Sequence, residues 1–224
     1  MFTENFPPYN YEDNGRITGI NAELTILMCE AAGIRCELKM YPWTRAFNLA
    51  RSTKNSGLVS TSRSPSRETM FHWVGALASD KTFLYKLKSR EDIQASTIED
   101  ATRYSVGVQR NDIYTSVLAD LGFKMASNVM NFSYKNDEID LFLAGKIDLI
   151  VSSNLTLRYA LQGKEKSSES VVPLIELPVD QLSGNFLAIN KETDVAVVKR
   201  LQKALDELKN SGRFNELVTQ FTEQ

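Results

Sequence analysis

The chain has 224 residues and a mass of 25.2 kDa, with 42% hydrophobic and 24% charged residues. At roughly 150 residues per domain this length allows one or two domains with a sizeable core, and the composition is globular rather than disordered. The balance of 26 basic against 28 acidic residues argues against non-specific nucleic-acid binding, and no apolar run approaches the ~20 residues that span a membrane.

The opening residues, MFTENFPP, contain neither a basic region nor an apolar signal segment. Either the protein is cytosolic or a targeting segment has been removed. Short apolar runs then alternate with amphipathic stretches, the pattern of an α/β protein. Asn21 is placed to cap a first helix carrying Leu24, Leu27, Met28 and Ala31, which Gly33 closes. Residues 34–41 alternate as a strand, and Pro42 starts a helix through Trp43, Ala46, Phe47 and Ala50. Residues 58–60, 71–74 and 83–85 read as strands, with a polar turn at Ser64 and Pro65.

A second block begins near Ser89. The run Ser96, Thr97, Ile98, Glu99 is predicted as a capping box. A strand at 104–108 precedes a helix from Asp112 to Leu121 that Gly122 ends, and a helix through Ile139, Phe142 and Leu143 stops at Gly145. Residues 148–151 form the next buried strand, and 163–170 a solvated loop. Strands around 171–177 and 185–189 lead to two amphipathic helices, marked by Leu201 and Leu205 and by Leu217 and Phe221.

Catalytic chemistry has little to draw on. His72 is the sole histidine, it sits mid-strand, and a structural role is favoured for it. Neither a zinc-ligand cluster nor a phosphate-cradling glycine motif occurs, so no metal, cofactor or catalytic residue is assigned. Cys29 and Cys36 lie across one helix–glycine–strand turn, where a bridge is possible but two buried thiols serve equally well. The most informative segment is residues 57–68, GLVSTSRSPSRE, a buried strand running into hydroxyls and then two arginines. Hydroxyls beside a planar guanidinium fork suit a carboxylate, against a plain Ser-rich surface turn as the alternative. The aromatic loops FPPYNY (6–11) and YPWTR (41–45) either cover a core edge or line a ligand cleft.

In this order, the FPPYNY loop, the GINAEL helix start, the 57–67 segment, WVG, VGV, AGKID and the two C-terminal helices resemble the bacterial extracellular solute-binding proteins of family 3. The resemblance runs nearly end to end. It implies a two-lobed α/β fold of the periplasmic-binding-protein type II class, with two crossover strands as a hinge. Lobe one would comprise 1–86 plus 187–224 and lobe two 87–186, with hinges near 85–89 and 183–186 and closure over the ligand. The implied function is that of a monomeric, non-enzymatic periplasmic receptor that passes a small carboxylate-bearing solute, an amino acid or relative, to a membrane ABC permease. A Cys29–Cys36 disulfide is implied by the matching spacing in the histidine- and lysine/arginine/ornithine-binding receptors.

Carried over by position, Phe6 stacks on the ligand, Tyr11 of the aromatic loop and Trp43 touch it, and Ser60, Ser62 and Arg67 grip its α-carboxylate. Asn111 and Asp112, with Ile113, take the place of a Gly-Thr-Thr-like turn at a helix N-terminus. Ser153 stands where amino-acid binders of the family have the aspartate for the ammonium, so that half of the recognition is missing or comes from Asp112. Arg63 and Arg110 either bind a second acidic group or are solvated. Other uses of the same fold are an extracytoplasmic sensor domain and, further off, a cyclohexadienyl-dehydratase-like enzyme. In the latter Asp112 would be the acid, with Glu23 and Asp180 peripheral.

Overall fold

The computed structural model describes residues 1–78, 80–125, 127–133, 137–164, 168–177 and 184–222. The chain divides into two units, one made of Met1–Ser79 with Gln181–Gln224, the other of Asp80–Asp180.

Unit 1 contains strands β1 (Phe2–Thr3), β2 (Tyr11–Asp13), β3 (Arg16–Thr18), β4 (Lys39–Met40), β5 (Gly57–Ser62), β6 (Phe71–Gly75) and, from the second chain segment, β12 (Asn185–Asn190). Its helices are α1 (Ile20–Ala31), α2 (Trp43–Ser52), α3 (Pro65–Glu68), α8 (Val195–Asn210) and α9 (Arg213–Thr222). The main sheet has the order β4-β1-β5-β12-β6, with β1 parallel to both β4 and β5 and β12 antiparallel to its two neighbours. Leu24 and Met28 of α1 and Leu201 and Leu205 of α8, all fully buried, pack on Val59 and Leu187 of the sheet. The hairpin β2–β3 turns at Asn14 and Gly15, whose φ angles of 50° and 78° are those a tight two-residue turn demands.

Two local expectations are corrected here. Helix α1 begins at Ile20 after Gly19, not at an Asn21 cap. Gly19 has φ 112°, and a Cβ there would lie 2.6 Å from the Pro8 carbonyl oxygen, so the chain turns in at the one residue type that fits. Of the predicted strand 34–41, only Lys39 and Met40 pair, because β1 offers two residues to pair with. The stretch before them is held by other means. Cys29 and Cys36 are joined by a disulfide, Ile34 N–H donates to Cys29 O at 2.8 Å, and Arg200 Nε donates to Ala32 O at 3.0 Å.

Unit 2 contains β7 (Thr82–Leu87), β8 (Val106–Gln109), β9 (Val129–Phe132), β10 (Leu149–Ser153) and β11 (Val171–Glu176), in the order β11-β7-β10-β8-β9. Its helices are α4 (Ile98–Ala101), α5 (Ile113–Asp120), α6 (Glu138–Leu143) and α7 (Asn154–Ala160). Strands β10, β8 and β9 run parallel, while β7 is antiparallel to β10 and β11. Tyr85, Ile139, Phe142, Ile147, Ile150 and Leu157 form the core. The capping box is one residue later than predicted: Thr97 Oγ1 accepts from Asp100 N–H, and the Asp100 carboxylate accepts from Thr97 N–H, each at 3.1 Å.

The division of the chain also differs from the expected 1–86, 87–186, 187–224. All of β7 pairs within unit 2 and all of β12 within unit 1, so residues 80–86 belong to unit 2 and 184–186 to unit 1. Tyr85 to Leu87, within the expected hinge at 85–89, are sheet residues of unit 2. Ser183 and Asp180 lie outside the described residues. Among the described residues, no helix is long and apolar enough to cross a membrane.

Candidate ligand-binding site

In unit 1 the carried-over residues collect at one edge of the sheet. The strands β4, β1 and β5 are parallel, and their C-terminal ends lead respectively into Trp43 at the start of α2, the loop holding Phe6, and the stretch from Ser60 to Arg67. The carboxyl edge of parallel strands is where open α/β sheets bind ligands, because the loops there are free to carry chemistry while the strands fix their bases. A cavity of about 440 Å³, lined among others by Met1, Lys39, Asn55 and Ser56, lies at the opposite, N-terminal ends of the same strands.

Arg67 is the central cation of this edge. It sits in the one-turn helix α3, is 9% exposed, and its Nη1 donates to the Ser62 carbonyl at 3.3 Å. Its guanidinium carbon lies 5.2 Å from the Trp43 ring centroid and 5.4 Å from that of Phe47. Both distances lie within cation–π range, so the two rings flank the guanidinium. Trp43 itself is 6% exposed and packs on Phe47 at 5.6 Å, continuing to Phe71 and Trp73 in a row of edge and tilted contacts.

Arg63 has a different setting. It forks onto the Glu68 carboxylate with bonds of 2.7 and 2.6 Å and lies 5.8 Å from the rings of Trp73 and Phe186. The hydrogen bonds from Arg63 hold the Glu68 carboxyl below its ordinary range. Arg63 is thus engaged by its own chain.

Ser60 is bonded within its own chain. It is a non-glycine residue at φ 60°, where the register between β5 and β12 shifts. Its hydroxyl donates to Asn10 Oδ1 and accepts from Asn21 Nδ2 at 2.9 Å. Ser62, two residues on, is half-buried. Phe6 bridges to Asn10, with Phe6 N–H donating to Asn10 O at 2.6 Å, and its ring lies 5.0 Å from Tyr9. Tyr11 is in β2, paired with Thr18. Sequence reasoning overlooked Asn10, Asn21 and Phe47 as parts of this edge. Asn10 was visible inside the aromatic loop, whereas nothing in the sequence distinguishes Asn21 from a helix cap.

In unit 2, Asn111 and Asp112 follow β8 and Ser153 ends β10. These strands are parallel neighbours, so both turns occur at the same edge of that sheet. Asn111 adopts φ 62°, a conformation asparagine tolerates. Asp112 is the N-cap of α5, its Oδ1 accepting from Tyr114 N–H at 3.3 Å. A carboxylate is favourable at that position because it meets unsatisfied amides and the positive end of the helix dipole. Ser153 caps α7, its Oγ accepting from Thr156 N–H at 3.2 Å. Asp80 completes that helix start by accepting from Leu155 N–H at 3.1 Å, a role sequence reasoning did not find. His72 approaches the Lys191 carbonyl at 3.3 Å, and no metal-ligating cluster occurs among the described residues.

The chain matches the bacterial extracellular solute-binding proteins, family 3, over residues 1–224. It belongs to that family. Family 3 membership agrees with the fold of solved relatives. A histidine kinase sensor domain with similarity to periplasmic binding proteins superposes with TM-score 0.84 at 19% identity, covering 98% of this chain and 94% of that one. An ancestral arginine-binding protein bound to glutamine gives 0.79 at 18%, covering 100% and 97%. The arginine-, lysine-, histidine-binding protein ArtJ from Geobacillus stearothermophilus gives 0.80 at 16%, covering 100% and 94%. No curated protein sequence matches the chain. The family is one of solute-binding proteins, two of these three structures are of amino-acid-binding proteins, and the disulfide fits the extracellular setting of family 3, since such bridges persist in oxidising compartments.

Proposed function

We propose that the chain is an extracytoplasmic receptor for a small carboxylate-bearing solute, an amino acid or a close relative, acting as a monomer that serves an ABC-type permease. The observation that carries the reading is the edge of unit 1, where Arg67, Ser62 and Trp43 meet at the ends of parallel strands. A guanidinium presents a planar fork of N–H donors that matches the geometry of a carboxylate. Phe6 and Tyr11 are proposed as aromatic contacts from the neighbouring loop. Ser60, Asn111, Asp112 and Ser153 are proposed to act through the main-chain geometry and helix starts they hold.

At the position where the family resemblance implies an aspartate for the ammonium, this chain has Ser153. Ser153 brings a capping hydroxyl rather than a carboxylate, and Asp112 is the acid nearest in sequence to the α5 start. The proposed reading requires the carboxylate and leaves the α-ammonium either unrecognised or met by Asp112. The test is a thermal-shift comparison of L-arginine with agmatine, which lacks only the carboxylate, and of L-glutamine with glutarate, which lacks the ammonium and carries a second carboxylate in place of the amide. Stabilisation by L-arginine, L-glutamine or glutarate but not by agmatine supports the reading; a shift with agmatine equal to that with L-arginine overturns it.

A second reading has one observation in its favour. The histidine kinase sensor domain shares the fold over nearly its whole length. The same ligand site would then feed a signalling module, and the gene's full reading frame decides between a free receptor and a receptor fused to such a module.

A further inference from the structure

We infer that Asn10 and Asn21 are positioning residues of the carboxylate site, acting through the Ser60 hydroxyl to hold β5 in the bend that presents Ser62 and Arg67. The inference rests on the function proposed above and names how that site is built. Asn10 and Asn21 are fully buried and Ser60 is 7% exposed, so the three side chains satisfy one another away from solvent.

The direction of each hydrogen bond is fixed by the main chain. Asn10 Nδ2 donates to the Glu4 carbonyl at 2.6 Å, which leaves Asn10 Oδ1 facing Ser60 as an acceptor. Asn21 Oδ1 accepts from Ala78 N–H at 3.1 Å, which leaves Asn21 Nδ2 facing Ser60 as a donor. A carbonyl only accepts and an N–H only donates, so neither amide can be flipped without losing its anchor. The single proton of the Ser60 hydroxyl is thereby committed to Asn10 and is not offered to a ligand.

What remains for Ser60 is its backbone. A φ of 60° is unfavourable for any residue with a Cβ, and here it coincides with the register shift between β5 and β12. The two asparagines clamp that bend from different elements, one from the loop after β1 and one from the first turn of α1. Asn21 also reaches Ala78, whose carbonyl accepts from Asn185 N–H and Nδ2, each at 3.3 Å. The bend is therefore tied to the points where the chain leaves unit 1 and re-enters it.

The experiment compares Ser60→Gly with Ser60→Ala by isothermal titration calorimetry, using L-arginine as probe and L-glutamine and glutarate as second and third probes. Glycine adopts the left-handed bend without a clamp, while alanine has the same strain as serine and no hydroxyl. Ser60→Gly should bind clearly more tightly than Ser60→Ala, which should be at least about tenfold weaker than the parent. Asn10→Ala should cost about tenfold in the parent and under threefold in the Ser60→Gly background, where no hydroxyl remains for it to orient. If Asn10→Ala fails to fold, the Ser60 pair decides alone. Equal loss in Ser60→Gly and Ser60→Ala, with Arg67→Ala still abolishing binding, overturns the positioning role and leaves the carboxylate reading standing. No binding of any probe by the parent, or an unchanged affinity in Arg67→Ala, overturns both.

Discussion

Arg67 is nearly desolvated before any ligand arrives, at 9% exposure between the Trp43 and Phe47 rings. An anion that pairs with such a guanidinium gains more than it would from a solvated one, because less water must be removed from the cation. Arg67→Ala should therefore weaken binding by roughly 2–5 kcal/mol. Arg67→Lys should recover only part of that, since an ammonium lacks the planar fork. Tyr85 offers a pH test within unit 2. Burial first, then the nearby Asp80 and Tyr114, pushes its phenol up to about 12 from its ordinary 10.0. The folded state thus holds the proton more tightly than the unfolded one, so this contribution is intact below pH 10 and is lost as pH rises toward 12. Tyr85→Phe should remove the part of the stability loss between pH 10 and 12 that urea denaturation detects in the parent. At this scale the sequence showed the cation and the aromatics but not the bend at Ser60. A left-handed serine locked by two distant asparagines leaves no local pattern, since its causes are 39 and 50 residues away.

Short elements depend on their ends. Helix α4 has four residues and is held by the Thr97–Asp100 box, so Thr97→Ala should cost about 1 kcal/mol in chemical denaturation. The backbone N–H of Ser96 is the first cause holding the Asp100 carboxyl below its ordinary 3.8, followed by the Thr97 hydroxyl and N–H. A depressed folded pKa means that the stabilisation is complete above the unfolded value near 3.8 and disappears as pH falls through the lower folded one. The difference between parent and Asp100→Asn should accordingly be constant at neutral pH and shrink below pH 4. The Cys29–Cys36 bridge closes a loop of seven residues in sequence, and its loss in a Cys29→Ser, Cys36→Ser double variant should cost about 2–3 kcal/mol on a chain-entropy estimate. Amphipathic helices such as α8 were legible because their apolar stripe is an intrinsic periodicity. The alternating run at 34–41 misled because alternation only proposes a strand, and a two-residue neighbour accepts only two residues of it.

Two interleaved units explain why the order of motifs told more than any linear division of the chain. Strand β12 returns from the end of the sequence to sit between β5 and β6, which places α8 and α9 on the core of unit 1. The existence of two units was readable from the family resemblance. Their seams were not, because whether β7 belongs to one sheet or the other is settled by hydrogen-bonded partners far along the chain. The site residues of unit 1 follow the same logic: they are brought to one edge by strand direction, not by nearness in sequence. A ligand at about 100 times its dissociation constant should raise the folding free energy by roughly 2.7 kcal/mol.

The central claim is that a carboxylate is held by Arg67 in unit 1. Calorimetric titration of the parent and of Arg67→Ala with whichever of L-arginine, L-glutamine and glutarate binds the parent most tightly tests it directly. The account predicts one ligand per chain in the parent and a loss of about thirtyfold or more in Arg67→Ala. Equal affinity in the two proteins, with both folded, would contradict it.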